Sequence, residues 1–115
     1  MKVRFKTGHS KYRDLTPGNV YRVIGIEADQ YRIMNDNGRP YLYPPTIFRI
    51  VDASEPRQWR TWFGDDSERY SYPRDLGSPG FFEDYFDSNP KAMATLHQYL
   101  AAQHHSSQTS KRKAG

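Results

Sequence analysis

Tyr31-Arg-Ile-Met-Asn-Asp-Asn-Gly-Arg-Pro-Tyr-Leu-Tyr-Pro-Pro-Thr-Ile-Phe48 is the stretch that decides the fold. Tyr31–Met34 has the β-branched and aromatic content of a short strand. Asn35-Asp-Asn-Gly38 is a tight-turn sequence, because Asn, Asp and Gly tolerate positive φ. Tyr41–Tyr43 returns as the paired strand. Pro44-Pro45 ends it, since proline cannot donate to a ladder, and residues 46–48 can close one 3₁₀ turn. Arg49–Val51 continues as a further strand.

The flanking sequence extends this pattern. Thr16-Pro17-Gly18 signals a turn, and Asn19–Ile26 alternates as a strand. Downstream, Trp59–Phe63 and Glu68–Tyr72 form a second hairpin around Gly64-Asp-Asp-Ser67, with Pro73 as its stop. After Gly77 the period becomes helical. Ser78-Pro79 and Asn89-Pro90 are both helix-start signals, a capping side chain before a proline with preset φ. Phe81, Phe82, Tyr85 and Phe86 share one helical face, and Ala92, Leu96, Tyr99 and Leu100 share another. The expected architecture is mainly β, a small barrel over 1–102 with a C-terminal pair of helices. A disordered basic tail is expected over 103–115.

Composition narrows the function. The 115 residues include nine Tyr, six Phe, two Trp and no Cys. A domain this small must build its core largely from rings. Without cysteine there are no disulfides, thiolate zinc sites or thiol nucleophiles. The first fifteen residues lack the apolar run of a secretory leader, and no stretch reaches the roughly 20 apolar residues of a membrane span. A cytoplasmic protein is expected.

The net charge is +4. Residues 1–13 hold Lys2, Arg4, Lys6, Lys11 and Arg13 and no acid, while the tail holds Lys111, Arg112 and Lys113. Residues 14–102 keep nine Lys and Arg against all thirteen acids. The positive charge is thus assigned to the two ends and the middle is read as electronegative.

Catalytic and metal-binding groupings are weak. Glu83 and Asp87 lie four apart on one helical face and with Asp84 form an acidic cluster, which a solvated surface explains as well as acid/base chemistry. His9, His97, His104 and His105 are scattered, with no pair at ligand spacing on a regular element. No Ser/His/Asp grouping and no phosphate loop is evident. Neither an enzyme nor a cofactor is expected.

Binding is the better reading. Asp65, Asp66 and Glu68 crowd one hairpin tip, with Tyr70 beside them. Glu83, Asp84, Tyr85 and Asp87 form a second acidic, aromatic group. Rings supply contact area and charges steer encounter. These eight residues are the candidate contact surface for a protein partner. The alternative is nucleic acid stacked on a strand face beside Arg22, Arg32, Arg39, Arg49 and Arg60.

Two resemblances add to this. Leu15-Thr-Pro-Gly-Asn-Val-Tyr21, Tyr31-Arg-Ile, Asn35-Asp-Asn-Gly38 and Tyr41–Phe48 together resemble an SH3-like barrel, across about residues 13–52. Tyr43-Pro-Pro-Thr-Ile-Phe48, Gly64-Asp-Asp-Ser-Glu-Arg-Tyr70 and Gly80-Phe-Phe-Glu-Asp-Tyr-Phe-Asp87 are similar to segments of small bacterial proteins of the immunity type. Those proteins block toxins by tight binding. The resemblance implies a binding module that occludes a cognate toxin domain.

Overall fold

β2 (Val20–Glu27) is the strand on which the others are hung. In the computed structural model, which describes the backbone of residues 1–8 and 11–114 and the side chains of 1–8 and 11–103, the first half of β2 pairs with β1 (Lys2–Phe5). Its other edge carries β3 (Gln30–Met34). Near its end, at Ile26, it meets β7 (Arg69–Pro73). The register with β3 is irregular between Val23 and Gly25, and such an irregularity bends a strand and increases its twist.

β3 pairs with β4 (Pro40–Tyr43), β1 pairs with β5 (Phe48–Asp52), and β6 (Trp59–Phe63) pairs with β7. All these pairs are antiparallel. The principal order is β4-β3-β2-β1-β5, with β7 and β6 branching from β2. A 3₁₀ turn, Pro45–Ile47, links β4 to β5. Among the described residues no ladder joins β4 to β5 or β6. The sheet is therefore not closed into the expected barrel, because the two halves of β2 feed different partners and leave three edges.

β1 is the element that the sequence reading passed over. Charge alone marks Lys2-Val-Arg-Phe5 as a basic end, yet it lies between β2 and β5 with Val3 and Phe5 almost wholly buried. Its alternation of cation and apolar residue is a half-buried strand's period.

The chain falls into two compact units, Met1–Arg74 and Asp75–Gly115. The first is built from rings, as composition requires. Phe5 packs edge-on to Tyr12 at 6.3 Å, Tyr12 meets Tyr43 at 5.9 Å, and Tyr43 meets Phe48 at 6.3 Å. Val3, Val23, Ile26, Ile33, Ile47 and Trp59 fill the space around them.

Two polar networks tie the sheet together. Buried Arg32 donates from Nη2 to Glu27 Oε1 at 2.7 Å, from Nε to the Tyr72 hydroxyl at 2.9 Å and from Nη1 to the Pro40 carbonyl at 2.8 Å. Tyr72 in turn donates to Glu27 at 2.8 Å. Gly25 makes room for this ring: a Cβ there would lie 2.0 Å from Tyr72 Cε1. The second network fastens the Asn35–Gly38 turn. Asn35 Oδ1 accepts the Asn37 and Arg39 amides, both at 3.0 Å. Tyr43 donates to Asp14 at 2.7 Å and Tyr21 donates to Asp36 at 2.7 Å.

The second unit holds α1 (Phe81–Phe86) and α2 (Pro90–Ala114). Asn89 caps α2 as expected, its Oδ1 accepting the Ala92 amide at 3.1 Å. α1 differs. Its N-cap is Gly80 at φ +77° without a side-chain bond, and Ser78 contributes only its carbonyl, to Phe81 N–H at 3.0 Å. The helix starts two residues after the expected cap because Gly80 takes the left-handed turn. The expected tail, 103–115, falls mostly on side chains outside the described residues, as do His9, His104 and His105; the α2 backbone is helical through Ala114.

Gly25→Ala is expected to lower the unfolding free energy by about 3 kcal/mol through overpacking against Tyr72, measured by urea denaturation. Alkaline pH is expected to do the same gradually. Burial first, and then neighbouring acids, raise the Tyr43 and Tyr72 hydroxyls well above their ordinary value of 10.0. A raised folded pKa means the stabilisation is complete below pH 10 and is lost as pH climbs beyond it. The urea midpoint should hold between pH 7 and 9 and fall above 10, with a shallower fall in Tyr72→Phe. Equal slopes in the two proteins would refute the assignment.

Candidate functional site

The β6–β7 hairpin follows from local chemistry. Trp59–Phe63 and Arg69–Pro73 pair in strict register, with Trp62 opposite Tyr70 and Thr61 opposite Ser71. The Thr61 and Ser71 hydroxyls share a 2.7 Å hydrogen bond. Trp62 and Tyr70 stack nearly parallel, centroids 5.7 Å apart. Such cross-strand pairs are what hold a two-stranded ribbon.

The tip is closed by backbone bonds between Gly64 and Glu68 at 2.9 Å and between Ser67 and Gly64 at 3.0 Å. Ser67 takes φ +63°. The Glu68 carboxylate folds over Gly64 and accepts the Asp66 amide at 2.9 Å. A Cβ at residue 64 would sit 1.6 Å from Glu68 Oε1, so only glycine leaves that carboxylate its place. Glu68 is thus a turn residue, while Asp65 and Asp66 are exposed. The Tyr70 hydroxyl is held above its ordinary pKa, first by desolvation and then by Glu68.

Below the tip, Arg69 pairs with Glu55, and its amide donates to Asp29 at 2.9 Å. Arg69 stands opposite Phe63, in the last pair before the tip, so its backbone bonds fasten the tip end of β7 to the β2–β3 turn, where Ala28 and Asp29 both take positive φ. The exposed edge of the ribbon is β6. Trp62 is 43% exposed and Phe63 66% exposed. Because strand neighbours point to opposite faces, the ribbon is apolar on both sides. Of the two Trp residues, Trp59 is core and Trp62 is surface.

The other half of the expected surface lies in the second unit. Glu83, Asp84 and Asp87 are exposed on and just after α1. Tyr85 is 4% exposed, with its ring against Phe86 at 5.3 Å, so its area is not offered to a partner. The period of α1 explains this: Phe81, Phe82 and Tyr85 share the buried stripe. Among the described residues no group of three or more His, Asp or Glu gathers as a metal site.

The strand arginines separate into two kinds. Arg32 is buried in the Glu27–Tyr72 network and Arg39 is half-buried, whereas Arg22, Arg49 and Arg60 are exposed. The sequence reading missed Lys2 and Arg4, which share the exposed face of β1 with Arg22 and Arg49 opposite them. Residues 14–102 do carry more acids than bases, but the basic residues 1–13 are folded into the first unit rather than forming a separate end. The first unit carries thirteen Lys and Arg against nine Asp and Glu, a net +4; the second carries four of each.

Comparison with protein-family models, curated proteins and solved structures finds no match. The geometry of the site alone supports a functional reading.

Since most of Phe63 lies in water, Phe63→Ser is expected to change the unfolding free energy by no more than about 0.5 kcal/mol, as for other surface positions. Thermal unfolding measures this. A loss several times larger would make Phe63 a structural residue and remove it from the docking surface.

Proposed function

We propose that this chain is a protein-binding module that docks through the β6 edge and the tip of the β6–β7 hairpin. The observation that carries the reading is the exposure of Trp62 and Phe63 on an edge strand, directly beside Asp65 and Asp66. Aromatic anchors ringed by charge are the usual makings of a binding hot spot. An edge strand also offers unpaired backbone groups, and a ribbon already stiffened by the Trp62–Tyr70 stack loses little entropy on docking.

The finer reading is an SH3-like module of the immunity type, acting in the cytoplasm without cofactor or catalysis. The strand order β5-β1-β2-β3-β4, with a 3₁₀ turn between β4 and β5, supports the SH3-like part. The immunity part rests on the sequence resemblance and on the acidic tip, which suits the cationic cleft of a nucleic-acid-cutting toxin. In this reading Asp65 and Asp66 supply the charge and Trp62, Phe63 and Tyr70 the area. Glu83, Asp84 and Asp87 would be a separate acidic contact on α1. The module would occlude its target rather than alter its chemistry.

The test begins with affinity capture from the source cells, using wild-type bait and a Trp62→Ala/Phe63→Ala variant. One protein retained by the first and lost by the second identifies the partner. With it in hand, Asp65→Ala/Asp66→Ala should slow association about tenfold at low salt, and the difference should shrink as salt rises. Rescue of growth on co-expression with that partner tests neutralisation. A double-alanine bait that captures as well as wild type would overturn the hairpin as the docking surface.

A further inference from the structure

We infer that the exposed face of β1, β2 and β5 is a nucleic-acid backbone site, separate from the hairpin and independent of the reading above. The register places its residues in two rows. Arg49, Arg4 and Val20 lie opposite one another across β5, β1 and β2, and Asp52, Lys2 and Arg22 form the next row. Lys6, the exposed residue just after β1, continues the two-residue spacing of Lys2 and Arg4. Five cations thus share one exposed surface with a single acid.

The arrangement is costly to the fold. Arg4 faces Arg49 and Lys2 faces Arg22, and like charges directly opposite one another destabilise a sheet. Little offsets this. Among the described residues the ion pairs are Arg32–Glu27 and Arg69–Glu55, neither of them here. Arg4 Nη1 donates to the Gly18 carbonyl at 2.8 Å and Lys6 Nζ to the Thr46 carbonyl at 3.1 Å. These bonds hold the side chains in place without neutralising them. Asp52 lies at the edge beside Lys2, and its carboxylate accepts the Ser54 amide and hydroxyl at 2.9 and 2.6 Å. Those bonds first, and the nearby positive charges after them, keep it below its ordinary pKa, so it stays an anion that cancels one charge of five.

Geometry selects the ligand. Lys2 to Lys6 spans about 13 Å at 3.3 Å per residue, and the three strands span about 10 Å. A nucleic-acid strand advances about 3.4 Å per phosphate, so the patch covers roughly four phosphates. Three of the five cations are arginine, whose planar fork matches phosphate oxygens two at a time. A lipid surface fits less well, because the exposed apolar side chains of these strands, Val20, Ile50 and Val51, are short β-branched groups, whereas membrane-bound faces insert larger ones such as Trp, Phe and Leu. No ring lies in the rows either, so the site grips backbone and tolerates any base sequence.

The experiment measures fluorescence anisotropy of a labelled 20-nucleotide single strand and the matching duplex against the full chain between 50 and 200 mM salt. Binding of both, with a log–log salt slope of about −3 to −4, is expected. Arg22→Gln/Arg49→Gln should weaken binding about tenfold at 50 mM salt and lower the slope by about 2. Its urea midpoint should be unchanged or raised, since repulsion is relieved; this also shows that the variant is folded. Lys111→Ala/Arg112→Ala/Lys113→Ala is the comparison for the tail. Absence of binding, equal binding by the face variant, or loss confined to the tail variant would overturn the inference. So would preference for vesicles of four parts phosphatidylcholine to one part phosphatidylserine over both oligonucleotides. The hairpin proposal is read on a different partner and different residues, so either can fail alone.

Discussion

A guanidinium held inside the sheet is the constraint around which the first unit is arranged. Arg32 leaves β3 and bonds to Glu27 on β2, Tyr72 on β7 and the Pro40 carbonyl on β4. Four strands are therefore positioned by one side chain. A buried cation without partners is prohibitively costly, and removing one member of such a network exposes the others to that cost. This makes the arrangement specific: Tyr72 must lie over Gly25, Glu27 must turn inward, and β7 must approach β2 at Ile26.

From that constraint the position of the hairpin follows. β7 is held along its length, by Arg69 at the β2–β3 turn and by Ser71 and Tyr72 against β2, while β6 pairs with β7 and adds Trp59 to the core. β6 is then the outer edge of the ribbon, with Trp62 and Phe63 exposed on it and Asp65 and Asp66 at the tip. At the other end of β2 the same strand carries Arg22 on its exposed face, beside β1 and β5. One bent strand thus separates an acidic, aromatic projection from a basic, flat face. The two differ in shape as well as sign, which suits a protein partner at one and a phosphate backbone at the other.

Much of the fold was legible because its signals are local. Asn35-Asp-Asn-Gly38, Pro44-Pro45, Gly64–Ser67 and Asn89-Pro90 each act through the φ preferences or side-chain bonds of adjacent residues. Strands β2 to β7 and the starts of both helices lie within two residues of where these signals place them, while the α2 backbone runs on to Ala114 through the stretch expected as tail. The hairpin acids were legible for the same reason, since turn chemistry puts Asp65 and Asp66 at a tip in any context. β1 was passed over because its charge was weighed ahead of its alternation, and with it went Lys2 and Arg4 as face residues. Tyr85 was misjudged as surface, although its spacing from Phe81 and Phe82 already matched a buried stripe.

What the sequence by itself determined is therefore the set of elements, their turns and the ring-rich composition of the core. These depend on interactions a few residues long. Tertiary structure alone decided that Arg32 is core while Arg22 and Arg49 are surface, that Trp59 is buried while Trp62 is not, and that the sheet stays open. It also decided that five scattered cations share one face. Each of those outcomes is a matter of register between strands up to about fifty residues apart, and a one-residue change in register exchanges the two faces of a strand.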